Sequence, residues 1–418
     1  MRRWWGGIDW SSQLQDFVIL DDDGAIVTHL RVQESPDGVR EILAALRGLN
    51  PTSHRFSRKQ VPIAIEDGGR LLAVELRRRG QPVVVIPPAV SARHRGRRGA
   101  AVSKTDRGDA ALLADIIRQQ PGQRRTMPET SDEAAAVAVL ARAQSSAAHN
   151  VRESAVRLQS HLALYFPAAL KAWAGMQQGL RRPEARAVLT LAPTPAAAAA
   201  LTKRRLYDTL ATAGRARLLD QEAARLREVF TDPSLRQSAA TERAMGERTR
   251  VLLTLLDAAC SAADGLAEMA EEQFSAHPHS GIYRSFPGVG RLGGPRLFAE
   301  IGDDPGRFAT ARGLRAYAGT APITWSSGTS HVVTHRTVCN RALRVAVHQW
   351  AFVSMQHSPG CRGLYDERRE RGDGYAAALR RVGGRLLTGL HHCLRTGALY
   401  DEEKMFPCRP GGRAVGNA

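Results

Sequence analysis

The chain has 418 residues, 43% of them hydrophobic, which is enough to fill the cores of two or three domains. Lysine and arginine number 59 against 41 aspartates and glutamates, and the formal charge of +18 points to a polyanionic partner, nucleic acid ahead of a membrane surface. Five scattered cysteines without metal-ligand spacing exclude a disulfide framework and a zinc finger, and no run approaches the ~20 apolar residues that span a bilayer, so the expectation is a cytoplasmic protein with reduced thiols and no membrane contact.

Arg2 and Arg3 precede Trp4 to Asp9, whose glycines and aspartate do not form the apolar core of a secretory leader. Trp4 to Trp10 reads instead as a short strand. Phe17 to Leu20 is a second strand, Asp21 to Gly24 a hairpin turn, and Ala25 to Val32 the returning strand. Ser35-Pro36-Asp37-Gly38 opens a helix to about Leu49. Pro62 to Glu66 is a buried strand, Gly69 to Arg79 a helix, and Pro82 to Pro88 a strand stopped by prolines. A hairpin followed by βα units predicts an α/β domain over residues 1–125, a mixed sheet with helices on its faces. In a sheet of order 3-2-1-4-5 the first and fourth strands are neighbours. Asp9, in the middle of the first, and Glu66, at the end of the fourth, then lie side by side.

The helix that follows begins at Ser103-Lys104-Thr105-Asp106-Arg107-Gly108-Asp109, with Leu112, Leu113, Ile116 and Ile117 as its apolar stripe. Asp106 and Asp109, at i and i+3, share one face. Two readings stand: acids in a first turn favour the positive end of the helix dipole, or the pair holds a divalent cation through oxygen. Asp9 and Glu66 joining them makes four carboxylates that cannot all ionise without compensation. Two Mg²⁺ or Mn²⁺ ions ~3.5–4 Å apart would supply it and would suit phosphoryl transfer. Asp67 points to the other face of its strand, Asp21 to Asp23 belong to the turn, and Asp115 lies on another helix face. Residues 91–104 read as a loop carrying Arg93, Arg95, Arg97, Arg98 and Lys104, either simply solvated or contacting phosphates.

These residues carry a resemblance. Gly-Ile-Asp in a first strand, Ile-Glu ending a fourth and Thr-Asp-x-x-Asp opening a helix resemble a RuvC-type, ribonuclease H-like domain with a DEDD tetrad. The form Lys104-Thr105-Asp106-Arg107-x-Asp109-Ala110 is similar to the DEDD transposases of insertion sequences, described as bridge-RNA-guided recombinases. The resemblance implies that Asp9, Glu66, Asp106 and Asp109 are catalytic and bind Mg²⁺ or Mn²⁺.

Residues 126–278 are predicted to be a helical spacer. One long helix runs from Ser131, a candidate N-cap, to about Leu164, and another covers about Thr241 to Gln273. Their pairing predicts an antiparallel, coiled-coil-like hairpin. Residues 172–240 between them read as less regular, punctuated by Pro193-Thr194-Pro195, with the Ala196–Ala200 run starting a short helix. The family also places a coiled coil between two functional domains.

Residues 279–400 read as a mainly helical domain. Phe286-Pro287-Gly288-Val289-Gly290 is either a plain interhelical turn or a helix-hairpin-helix turn whose Gly288 and Gly290 expose N–H groups to a phosphate. From there the sequence resembles the family's second, transposase domain: Pro-Gly-Val-Gly, Glu300-Ile301-Gly302-Asp303, Tyr317-Ala318-Gly319-x-x-Pro322 and Ser327-Gly328. That resemblance implies a serine nucleophile attacking DNA, assigned to Ser327 with Ser326 second. His331 and His335 are near in sequence, but no Ser-His-Asp order is present. Where the family carries a Lys-Arg-Gly-type run, this chain has Thr334 to Arg341, in which Arg336 and Arg341 keep the positive charge for nucleic-acid contact. Tyr375 to Arg395 reads as a core helix and residues 401–418 as a disordered tail. The expected function is a DNA transposase or recombinase acting as a homo-oligomer, dimer or tetramer, with DNA and a structured guide RNA as partners. Its rivals are a metal-dependent junction nuclease without a covalent step and a non-catalytic nucleic-acid-binding protein.

Overall fold

The computed structural model describes residues 3–11, 13–49, 57–97, 105–120, 126–327 and 330–407, which form two compact units, Met1–Glu129 and Thr130–Ala418. In the first unit β1 (Trp5–Asp9), β2 (Gln15–Leu20), β3 (Ile26–Val32), β4 (Ile63–Ile65) and β5 (Val83–Val85) form one sheet of order β3-β2-β1-β4-β5. β1 is antiparallel to β2 and parallel to β4, with Ile8 opposite Ile65. This is the order and the neighbourhood of Asp9 and Glu66 that the sequence predicts.

Helices α1 (Pro36–Gly48), α2 (Leu71–Arg78), α3 (Pro88–Arg97) and α4 (Asp106–Gln119) follow the strands as expected, α3 excepted. Period-two alternation splits the strand side chains between two cores. Ile8, Phe17 and Ile63 pack with Ile42, Leu46, Leu72 and Leu76 of α1 and α2 on one face. Val18, Ala64 and Val84 pack with Ala110, Leu113 and Ile117 of α4 on the other. Gly7 makes the second contact possible: a Cβ there would lie 2.0 Å from the Ala110 carbonyl oxygen and 2.7 Å from the Ala114 nitrogen. Gly7→Ala is therefore expected to cost about 3 kcal/mol or more by forcing α4 off the sheet. A lowered thermal midpoint together with lost activity would check this.

The arginine-bearing stretch expected as a loop is helical through Arg97. Pro88 stands in the first turn, where its missing N–H costs nothing, and alanine and arginine favour the helix beyond it. Arg98 and Lys104 lie outside the described residues, as does the side chain of Arg97.

In the second unit α5 (Asp132–Ala163), α6 (Pro167–Ala172), α7 (Pro183–Leu191), α8 (Pro195–Ala199), α9 (Lys203–Thr212), α10 (Leu219–Thr231) and α11 (Ala239–Ala276) form a helical array. α5 and α11 run antiparallel. The His161 ring meets the Met245 carbonyl at 2.9 Å near one end, and Val137 shares a core with Phe274 at the other. Residues 172–240, expected to be less regular, hold four of these helices. Pro183 and Pro195 begin α7 and α8, and Thr194 and Thr202 cap α8 and α9 with their side chains. Elements this short carry too few apolar repeats to declare a period. They close a core of their own around Tyr165, Phe166, Trp173, Leu226 and Phe230.

The remaining elements are α12 (Ser280–Ser285), α13 (Gly293–Ile301), α14 (Ala311–Tyr317), a hairpin of β6 (Ile323–Ser327) and β7 (Ser330–Thr334), α15 (Arg341–Ser354), α16 (Pro359–Glu370), α17 (Tyr375–Thr396) and α18 (Glu402–Met405). Leu379, Leu386, Leu387 and Leu390 of α17 are buried with Tyr283, Phe298 and Trp350, as the sequence predicts for a core helix. Residues 401–407, expected to begin a disordered tail, are instead docked. Glu402 accepts hydrogen bonds from the Ser358 hydroxyl at 2.7 Å and the Gly360 nitrogen at 2.8 Å, and Met405 is buried. Among the described residues no helix is long and apolar enough to cross a membrane.

Candidate active site

Three elements of the first unit carry the four acids. Asp9 ends β1, Glu66 follows β4 directly, and Asp106 and Asp109 lie in the first turn of α4. Thr105 starts that helix, its hydroxyl accepting from the Gly108 nitrogen at 3.0 Å. The close approach at Gly7 places the start of α4 beside the end of β1, because Gly7 and Asp9 share a strand face and Ala110 adjoins Asp109.

The electrostatics register this convergence. The Asp9 carboxyl is pushed up to about 6 by its burial and by the negative charges of Asp109, Asp106 and Glu66, against a smaller opposing effect of the Trp10 N–H. A carboxyl raised in this way is one that a nearby positive charge would return toward the ordinary carboxylate range. Asp109 already has a partial substitute: Arg95, from α3, donates to its Oδ1 at 2.8 and 3.1 Å. Glu66 accepts from the Ser91 hydroxyl, also on α3. Asp106 is exposed. Among the described residues no group of three or more acid, histidine or cysteine side chains is arranged to hold a metal ion. The donors are nonetheless all carboxylate oxygens, the set that suits Mg²⁺ or Mn²⁺.

Three further residues stand beside the acids. Asp16 lies directly opposite Asp9 in the β1–β2 ladder and is buried, bonded at 2.5 Å to His29 and facing Arg31 at 3.5 Å. The His29 ring and the Arg31 guanidinium flank it, so its carboxylate is partnered within the sheet. Arg95, expected to lie in a loop and contact phosphates, instead lies on α3 with Ser91, and both side chains meet the acids. Arg93 is exposed on the same helix.

In the second unit β6 and β7 pair from Ile323 opposite Thr334 to Ser327 opposite Ser330. Ser327 is thus the last residue of a strand, exposed at the hairpin's end, and its neighbour Gly328 lies outside the described residues. The base of the hairpin is pinned. Asn340 caps α15 by accepting from the Leu343 nitrogen at 2.8 Å, and its side chain donates to Glu300 at 2.6 Å and Tyr317 at 2.8 Å. Glu300, buried on α13, also holds Arg142 of α5 at 2.8 Å. Arg341 follows this cap and is exposed, while Arg336 is half-buried.

The Pro-Gly-Val-Gly turn connects α12 to α13 and is docked on α15. Trp350 Nε1 and the Ser354 hydroxyl both donate to the Pro287 carbonyl, at 2.9 and 2.7 Å. Gly288 has φ 74°, and a Cβ there would lie 2.7 Å from the Ser354 nitrogen. Its glycine is thus required by packing as well as by backbone geometry. Gly288→Ala is expected to cost about 2–3 kcal/mol, readable as a lower denaturant midpoint, whereas Gly290→Ala, with open space around its Cβ position, is expected to be nearly neutral.

Comparison with known proteins agrees with both units. A transposase model for the DEDD group of IS110-type elements matches residues 6–167, and the model "Transposase IS116/IS110/IS902 family" matches residues 281–366. The chain is 43% identical over 400 residues to the mini-circle putative transposase for IS117 of Streptomyces coelicolor, covering 96% of each chain. It is 30% identical over 309 residues, 72% of each chain, to the uncharacterized 43.6 kDa protein of insertion element IS110 from the same organism. It is 27% identical over 414 residues to the uncharacterized 42 kDa protein of insertion element IS900 of Mycobacterium paratuberculosis, covering 95% of this chain and 96% of that one. With its tetrad-bearing sheet and its second unit each matched, and a relative aligned over nearly the whole length, the chain belongs to the IS116/IS110/IS902 family of DNA transposases.

Proposed function

We propose that this transposase cuts and rejoins DNA through a covalent intermediate on Ser327, with Asp9, Glu66, Asp106 and Asp109 as the acids that serve phosphoryl transfer. The observation that carries the role of the acids is the placement of Asp9 at the end of β1 beside Glu66 and the first turn of α4, where burial and those three acids push its carboxyl up to about 6. Asp9, Glu66, Asp106 and Asp109 would hold Mg²⁺ or Mn²⁺, and the chemistry supplied there would be neutralisation of charge on phosphate oxygens. Arg95 keeps Asp109 paired until a stronger cation competes for it. Ser327, exposed at a hairpin end, can meet a DNA backbone without rearranging a core. Its Oγ attacks phosphorus and loses its proton, and the P–O bond to one deoxyribose oxygen breaks. That oxygen leaves as a hydroxyl. A hydroxyl of the acceptor strand then attacks the phosphoserine, regenerating the serine. Arg93, Arg336 and Arg341 contact nucleic-acid phosphates, and the charge of +18 suits both DNA and a structured guide RNA. Several strand cuts must be held together, so the working form is a homo-oligomer.

The test is to incubate the purified protein, with its co-purifying RNA, with end-labelled element DNA and Mg²⁺, and to quench in detergent. A protein–DNA adduct that survives denaturation and disappears with EDTA supports the reading. Hydrolysed free ends without an adduct would favour a junction nuclease. Full strand exchange after ribonuclease treatment would remove the guide RNA from the proposal.

A further inference from the structure

The second unit contains a cavity of about 340 Å³ whose walls come from the β7–α15 connection, α15 and α17. Arg336 and His335 enter from the connection, Arg344 and His348 from one face of α15, and Arg380 from α17, with buried Thr320 on the remaining side. Arg344 and His348 are four apart, so their side chains project together. Among the described residues that wall this cavity, none is Asp or Glu. Arg336 Nε is buried with no hydrogen-bond partner. Behind the Thr320 wall lies a second guanidinium with a buried nitrogen left unpaired. Arg315, whose carbonyl accepts from the Thr320 hydroxyl at 3.2 Å, has its own Nε buried without a partner. Burial, with Arg381 and Arg312 nearby, shifts Arg315 below the usual guanidinium range.

A buried donor left unpaired costs about 1–3 kcal/mol, and more when charged. The cluster here is therefore built for an anion. Guanidinium forks suit phosphate oxygens bidentately, and a cavity of this size has room for a phosphate group. We propose that Arg336, Arg344 and Arg380 form a seat for one backbone phosphate of a nucleic acid. Its position assigns it a role. The β6–β7 hairpin places ~13 Å of strand between the backbone at Ser330, opposite Ser327, and Thr334 at its base. The seat, beyond that base, takes a phosphate flanking the reacting one. It fixes the register in which the backbone meets Ser327. This rests on the reading of Ser327 as nucleophile for its purpose, but not for its chemistry.

The test compares the wild-type chain with Arg344→Gln/Arg380→Gln, and with Arg248→Gln on α11 as an exposed control. Each is titrated over a range of salt with duplex DNA and, separately, with single-stranded RNA of unrelated sequence. The double variant is expected to lose about tenfold in affinity for the polymer that occupies the seat. The slope of log K against log salt should fall by about 0.9 for duplex or about 0.7 for a single strand. The arm that responds identifies the source of the phosphate, and Arg248→Gln should change neither. A second readout protects against misfolding. In phosphate-free buffer the double variant should melt at or above the wild-type temperature, because like charges have been removed, and inorganic phosphate should raise the wild-type midpoint more than the variant's. Unchanged affinity and slope for both polymers, or a double variant that melts lower without phosphate, overturns the proposal. Adduct formation by wild-type protein is scored separately. An adduct with no binding change removes the seat alone, and a binding change with no adduct removes the serine chemistry alone.

Discussion

Ser327→Ala is expected to abolish the covalent protein–DNA adduct and strand exchange, a loss of at least ~10³-fold, while leaving DNA affinity within about twofold of wild type. The two halves of this result have separate causes. Ser327 ends β6 in an exposed position, so removing its hydroxyl opens no cavity and should change stability by less than about 0.5 kcal/mol. Chemistry, by contrast, has no substitute for a missing oxygen nucleophile, because alanine cannot form the phosphoester. Denaturing gels of labelled DNA read the adduct, and filter binding on the same samples reads affinity. Ser326→Ala, one residue earlier in the strand, is expected to keep both. An adduct that persists undiminished in Ser327→Ala and vanishes in Ser326→Ala would move the nucleophile by one position. Persistence in both would end the serine mechanism for this chain.

The sheet was readable because each strand announced itself by local chemistry. Phe17 to Leu20 is a β-branched and aromatic run, Asp21 to Gly24 a turn, and Val83 to Val85 a buried run bounded by prolines. From that order the neighbourhood of Asp9 and Glu66 followed by topology, and the register of Ile8 with Ile65 agrees. What brings α4 onto β1 was not readable. Gly7 looks like any glycine in a strand, and only the position of the Ala110 carbonyl explains why a side chain has no room there. In a loop over residues 91–104 Arg95 would be either solvated or at a phosphate. A helix from Pro88 turns that side chain onto Asp109 instead. The helices of residues 172–240 were hidden for a different reason: prolines that begin α7 and α8 look, in sequence alone, like prolines that end something. The cavity between α15 and α17 has no sequence signature. Arg336, Arg344 and Arg380 are spread over more than forty positions, and only the packing of α17 against α15 brings them together.

Asp9→Asn is expected to stop DNA cleavage and, in EDTA at pH 7, to make the sheet unit more stable than wild type. The sign follows from linkage. The Asp9 carboxyl is pushed up to about 6 in the folded chain from an ordinary value of 3.8. Between those values the folded state binds more protons than the unfolded state, so stability falls as pH rises through that window and stays low above it. The full shift corresponds to at most about 3 kcal/mol, and half-burial with solvent screening reduces it to about 1–2 kcal/mol. Asparagine is neutral at every pH and does not incur that cost. The variant's melting transition at pH 7 should therefore lie about 2–6 °C above wild type in EDTA, and the gap should close near pH 4, where wild-type Asp9 is itself protonated. Saturating Mg²⁺ should raise the wild-type transition, because a ligand that binds only the folded state stabilises it. It should raise the variant's far less, reversing the order. A variant that melts below wild type in EDTA at pH 7 would mean that Asp9 is satisfied without a cation. The four acids would then be a structural cluster, and the phosphoryl-transfer role assigned to them would have to be abandoned.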